Sequence, residues 1–250
     1  MSSWGLLGAE LARWREDGLV PTLWWRDDDA TEPTAALDRL LAEAGRLPLA
    51  LAVIPALAGP PLADRLAGET AAVLQHGYAH LNHAPAGAKK AELGADRPLA
   101  AVLDELRRGA TRLARLFGAR FRRVLVPPWN RIDPEIAGRL PAEGYAGLSA
   151  YRPRRAASGG PGLTLVNTHV DIVDWQARRF LGEDSALRLT IDHLAARRGG
   201  LVDRAEATGL LTHHLVHEAA AWTFVERWLA TLIEGGARFL SADELFEARG

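Results

Sequence analysis

The chain has 250 residues, with 30 Lys+Arg against 31 Asp+Glu and no cysteine. That length fits one large α/β domain or two small ones and is ample to bury a core. The balanced charge gives no electrostatic case for nucleic acid or an anionic membrane surface. Without cysteine there is no disulfide framework and no thiolate ligand, so a metal would rest on His and carboxylates. The start, Met1-Ser2-Ser3-Trp4-Gly5-Leu6-Leu7-Gly8, lacks a basic, apolar export leader, and nothing later approaches a membrane span. These features lead us to expect a cytoplasmic protein.

Ala9 to Glu16 reads as an opening helix, and Val20 to Trp25 as a strand ending at Arg26-Asp27-Asp28-Asp29. Glu32-Pro33 opens a helix with Leu37, Leu40 and Leu41 on one face, ending near Gly45. Leu49 to Ile54 is a second strand, stopped by Pro55, and Pro60-Pro61 starts a short helix. Ala71 to Gln75 is a third strand, followed at once by His76, His80 and His83. Ala84 to Arg97 has little periodicity and reads as a long loop. Leu99 to Phe117 is amphipathic, its buried side marked by Leu99, Val102, Leu103, Leu106, Leu113 and Leu116. Arg123 to Val126 is a strand broken by Pro127-Pro128, and Asp133-Pro134 signals a helix start. Strands follow at Tyr145 to Ser149 and Leu163 to Asn167, then a helix over Glu183 to Arg198. Gly209 to Thr212 is a short buried strand ending at His213-His214. Glu218 to Leu232 is helical, Arg238 to Leu240 is a last strand, and Ser241-Ala242-Asp243-Glu244 caps a final helix.

Strands and helices alternate throughout, without linker or repeat. That order predicts a parallel sheet wrapped by helices, a barrel in preference to an open sheet, with about seven or eight strands.

The chemically capable residues follow the strands: Asp27-Asp28-Asp29, His76 and His80, Pro127-Pro128-Trp129-Asn130, Asp171 with Asp174-Trp175, and His213-His214. The carboxyl edge of a parallel sheet is where sites are built. His76 and His80 are four apart, so on a helical turn both imidazoles share a face and suit one metal ion. Three successive aspartates repel one another unless something positive gathers them. One carboxylate with His76 and His80 would make a two-His, one-carboxylate metal set, and a neighbouring Asp could then act as a general base.

In this order, these motifs resemble those of the polysaccharide deacetylases, carbohydrate esterase family 4, over Leu23 to His214. The resemblance implies a distorted (β/α) barrel of about seven strands with its site at the C-terminal face. On this likeness residues 1–250 are one catalytic domain of that kind. It assigns Asp27 as base, Asp28 as the metal carboxylate and His76 and His80 as the metal histidines. Asp29 stands where the family has Gly, which leaves a second register with Asp28 as base and Asp29 as ligand. Trp129 matches an aromatic whose backbone N–H helps to hold an oxyanion, and Asn130 takes the place of a Gly. Val126 replaces an Arg that normally braces the base. Of the two substitutes at hand, Arg26 and Arg131, we expect Arg131. Asp174-Trp175 matches a motif whose aromatic lines the substrate groove. His213 matches the catalytic acid, and His214 sits where the family has Asp. His83 and His217 have no counterpart.

The implied activity is metal-dependent removal of an acetyl group from an N-acetylated sugar or related amide, on a small-molecule or oligosaccharide substrate. Zinc suits the ligands, with cobalt, nickel or iron as other occupants. Two other readings stand beside it: hydrolysis of a small cyclic amide or imide, and a barrel that binds metal or carbohydrate without turnover.

Overall fold

The computed structural model describes residues 2–246; residues 1 and 247–250 lie outside the description. The first half runs α1 (Ser3–Glu16), β1 (Thr22–Ala30), α2 (Ala35–Ala44), β2 (Ala50–Val53), α3 (Pro60–Arg65), β3 (Ala72–His76), α4 (Leu99–Phe117), β4 (Phe121–Val126) and α5 (Pro134–Arg139). Five short strands follow: β5 (Gly147–Leu148), β6 (Ser158–Gly160), β7 (Leu163–Leu165), β8 (Val170–Asp171) and β9 (Val173–Asp174), which pairs with β10 (Arg179–Phe180). The chain closes with α6 (Glu183–Arg198), β11 (Thr208–Thr212), α7 (Ala219–Glu234), β12 (Arg238–Phe239) and α8 (Ala242–Phe246).

Local chemistry sets these boundaries. The α4 helix buries Val102, Leu103, Leu106, Ala110, Leu113 and Phe117, a three-and-four spacing that turns one stripe to the sheet. Asp133 caps α5 by accepting the Glu135 N–H. Ser241 and Glu244 form a reciprocal capping box ahead of α8.

The main sheet is ordered β6-β7-β5-β4-β3-β2-β1-β11-β8, with β12 beside the start of β1. All these pairings are parallel except β6 with β7. The sheet curls into a half-barrel, and an isolated parallel bridge, Tyr151–Thr168, joins the segment after β5 to the one before β8. Four strands escape sequence reading (β6, β8, β9 and β10) because two or three residues carry no periodicity.

Strand alternation separates two layers. Leu23, Trp25, Leu51, Val53 and Val73 face the helices, packed with Leu37, Leu40 and Trp228. Trp24, Ala50, Ala52, Leu74, Val124 and Val126 fill the inside of the curl. This apolar floor supports the carboxyl ends of β1, β3, β4 and β11. Among the described residues no helix is long and apolar enough to cross a membrane.

Candidate metal centre and active site

The three aspartates that end β1 go to three different places. On an extended strand Arg26 and Asp28 share a face, and Asp27 takes the other. Arg26 is fully buried and holds Asp28 with two bonds, Nε to Oδ1 at 2.8 Å and Nη2 to Oδ2 at 3.0 Å. The same guanidinium donates to the Ser149 hydroxyl at 2.7 Å, the Ser149 carbonyl at 3.0 Å and Asn130 Oδ1 at 2.8 Å. Two bonds of the fork fix the carboxylate, and the others tie the guanidinium to Ser149 and Asn130.

Asp27 points away from that cluster. Its Oδ2 accepts from the Thr212 hydroxyl at 2.7 Å and the His214 N–H at 3.0 Å, and its Oδ1 lies 2.5 Å from His214 Nδ1. Burial opposes the charge on Asp27, but the charge and hydrogen bond of His214, with Thr212, outweigh it and hold the carboxyl below its usual range. Burial likewise opposes the imidazolium of His214, and Asp27 lifts it above its ordinary value. With every bond committed to β11 and the turn after it, Asp27 is placed as a buried tie between strands. The register that takes Asp27 as base would therefore need a carboxylate already bonded to Thr212 and His214.

Asp29 has φ 72°, a left-handed conformation that breaks the alternation and brings its carboxylate round to the histidines. Its Oδ1 lies 3.1 Å from His76 Nε2 and 3.4 Å from His80 Nε2. The two imidazoles do not share a helix face. His76 ends β3, Gly77 turns at φ 55° and His80 sits at φ 57°, so a left-handed turn brings the rings to 5.0 Å. The expected ligand Asp28 is held by Arg26, and the carboxylate facing the histidines is Asp29.

These residues fit a divalent ion. His76 Nδ1 donates to the Val126 carbonyl at 2.9 Å, so the neutral ring presents a lone pair at Nε2. That lone pair faces Asp29 Oδ1, a buried atom without a hydrogen bond. A shared cation resolves the arrangement. In its absence burial disfavours the His76 imidazolium, yet Asp28 and Asp29 raise its pKa. Burial also opposes the Asp29 charge, but His76, with His213 and His80, holds that carboxyl far below the usual range.

The other expected residues divide. Trp129 and Asn130 form a turn at φ 54° and 55°, and the Trp129 ring lies 4.4 Å from His80. Val126 is buried in the floor, where an arginine would have no outlet. Arg131 is exposed and donates to the Lys90 carbonyl at 2.7 Å, while the arginine that holds one of the three aspartates is Arg26. His213 is buried, edge-on to Trp175 at 4.5 Å, and its charge favours ionised Asp29 and Asp171. Asp171 accepts from the Trp175 indole at 2.9 Å, and burial, ahead of His213's opposing effect, lifts its pKa. Asp174 accepts from the Gln176 and Ala177 N–H groups and serves the β9–β10 turn. His217 Nε2 accepts the His213 N–H at 3.3 Å, and His83 is exposed.

A second cluster was invisible in the sequence because its members lie far apart. His169, His193 and Glu206 are all buried, with one donor atom from each within 4.8 Å of the others. His169 and His193 stack at 3.5 Å beside a cavity of about 370 Å³.

No family model matches the sequence, and no curated protein matches it. Solved structures do. The chitin deacetylase from the fungal pathogen Colletotrichum lindemuthianum is similar at 18% identity and TM-score 0.57, over 91% of this chain and 88% of that one. The Bc1960 peptidoglycan N-acetylglucosamine deacetylase is similar at 17% identity and TM-score 0.59, over 91% and 88%. A mutant of a family 4 pseudoenzyme with restored enzymatic activity is similar at 13% identity and TM-score 0.62, over 91% and 68%. This chain therefore has the polysaccharide deacetylase fold.

Proposed function

We propose that this protein is a metal-dependent deacetylase that hydrolyses the acetamide of an N-acetylated sugar or a related small amide. One observation carries the reading. A carboxylate clamped by a buried arginine, Asp28 with Arg26, adjoins the Asp29–His76–His80 set at the carboxyl edge of the deacetylase fold.

Asp29, His76 and His80 would hold the ion, which when bound supplies Lewis-acid polarisation and lowers the pKa of water towards about 7. Asp28 takes the proton of the attacking water through lone pairs that Arg26 leaves free. A new C–O bond forms while the carbonyl oxygen becomes an oxyanion, for which the Trp129 backbone N–H is the protein donor. His213 then delivers a proton to the nitrogen as the C–N bond breaks, giving acetate and an amine. Trp175 lies against His213 and is 48% exposed, a surface for a sugar face at the mouth of the site. Zinc fits a set with one carboxylate and two imidazoles.

The test pairs a metal assay with an acetate-release screen on N-acetylated mono- and oligosaccharides. Metal with acetate release supports the reading. Metal without acetate directs the search to cyclic amides and imides. Neither leaves a non-catalytic barrel, and would overturn it.

A further inference from the structure

We infer that Glu92, in the loop before α4, is a positioning residue that sets the His80 turn for metal binding, an inference that rests on the metal site proposed above. Glu92 is 1% exposed. Its Oε2 accepts the Tyr78 N–H at 3.0 Å, and its Oε1 accepts the Ala79 N–H at 2.8 Å and the Leu81 N–H at 3.4 Å. Those three N–H groups surround His80, and no strand or helix satisfies them. A buried carboxylate thus does for this turn what a ladder does for a strand: it gives each exposed donor an acceptor.

The fit also explains Gly77. Any Cβ there would stand 1.9 Å from Glu92 Oε2 and 2.6 Å from Pro128 Cγ, and the residue has φ 55°. The turn is therefore built around the carboxylate and excludes a side chain at its start. The loop end that carries Glu92 is itself pinned. Asn82 Oδ1 accepts the Ala91 N–H at 2.9 Å, His83 N–H donates to the Ala91 carbonyl at 2.9 Å, and Leu93 accepts the Asp133 N–H at 2.8 Å. The hydrogen bonds of Glu92 go to backbone N–H groups on either side of His80, and its charge also acts on the His80 ring. It holds the backbone of one ligand in a left-handed conformation that a free chain disfavours.

The Glu92→Gln variant tests this. It keeps the shape but turns one acceptor into an amide donor facing a backbone N–H. Metal-free wild type, Glu92→Gln, Glu92→Ala and His76→Ala are titrated with Co²⁺ and followed by visible absorption, and each metal-free protein is melted. Both Glu92 variants should bind Co²⁺ about 10- to 100-fold more weakly, the range for groups that orient ligands. Metal-free Glu92→Gln should melt within a few degrees of wild type. Unchanged Co²⁺ affinity in Glu92→Gln overturns the inference. So does a metal-free melting temperature that collapses along with affinity, because Glu92 would then support the fold at large. If wild type binds no Co²⁺, or His76→Ala binds it as well as wild type, the metal site itself is wrong and Glu92 falls with it.

Discussion

Among the described residues lie two clusters of two histidines and one carboxylate, whose hydrogen-bond partners face opposite sides of the rings. At Asp29–His76–His80 the Val126 carbonyl takes the His76 Nδ1 proton and leaves a lone pair at Nε2. At His169–His193–Glu206 the Gly209 N–H donates to His169 Nδ1 at 3.0 Å, so the ring proton must sit on Nε2, which lies 3.4 Å from Glu206. With His76 neutral, a cation at the first cluster would displace no proton from that ring. The second would have to strip His169 of its only N–H. Buried Arg197 also stands beside the second, bonded to Thr208, which in turn meets His193 Nδ1 at 2.9 Å. Residue types and spacing match; the backbone group behind the ring decides which cluster suits a metal.

Metal counting is the most direct way to break that comparison. Wild type should carry one ion per chain. Asp29→Ala and His76→Ala should lose both ion and hydrolysis, while His169→Ala and His193→Ala should retain the ion. Two ions per wild-type chain would show that backbone partners do not discriminate.

Next in size is the division of labour among the aspartates. Asp28→Asn should keep the metal and lower kcat by about 10²- to 10⁴-fold, the usual contribution of a general base. Asp27→Asn should keep the metal too, but lose about 1–3 kcal/mol of stability in denaturant melts because His214 and Thr212 lose a charged acceptor. Arg26→Met should cost about 3–5 kcal/mol by stranding Asp28 as a buried charge. Loss of metal in Asp28→Asn would return Asp28 to the ligand set.

The second cluster should announce itself in acid. Burial, then His169 and Arg197, push the His193 pKa down to about 2, and burial lowers that of His169 despite Glu206. Their folded pKa values lie below the unfolded value, so below about pH 6.5 the unfolded chain binds more protons and stability falls with pH. The slope is at most about 1.4 kcal/mol per unit for each such histidine. The raised histidines, His76 and His214, act in the other direction and lose stability only as pH rises above about 6.5. Denaturant melts of metal-free protein at pH 6.5 and 5 therefore report the depressed histidines, which include His80 and His217, and His193→Gln should flatten the decline by the share of its own cluster. An equal decline in that variant would remove His193 from the account.

The smallest effect is expected at Arg131. Arg131→Ala gives up one surface bond to the Lys90 carbonyl, and kcat, metal content and melting temperature should hardly change.

What could be read from the sequence follows the same physical line. Both long helices, α4 and α6, have the bounds expected of them; in α4 a strong apolar repeat carries the signal, whereas the buried face of α6 includes Thr190, His193 and Arg197. The strand-end clusters were legible because apolar runs stop at polar residues. The register of three identical aspartates was not, because one backbone dihedral at Asp29 decides which carboxylate turns inward. The alternation rule pairs Arg26 with residue 28; applied with Asp27 as the base, it led to Arg131. Glu92 left no trace, since a lone acid in an aperiodic loop looks like any solvated one.

Four residues in left-handed backbone, Asp29, His80, Trp129 and Asn130, converge on one end of the barrel, and none is glycine. Each holds the chain uphill of its relaxed conformation by about 1–3 kcal/mol. Glycine at any of them would ease the turn, so a search for thermostable variants that ignores turnover should be drawn to these positions. At residue 130 it would find the glycine that the family pattern carries, at the loss of the Asn130 bond to Arg26. Hardiness and chemistry are set against each other at these four points, and a variant library scored on both should show the trade directly.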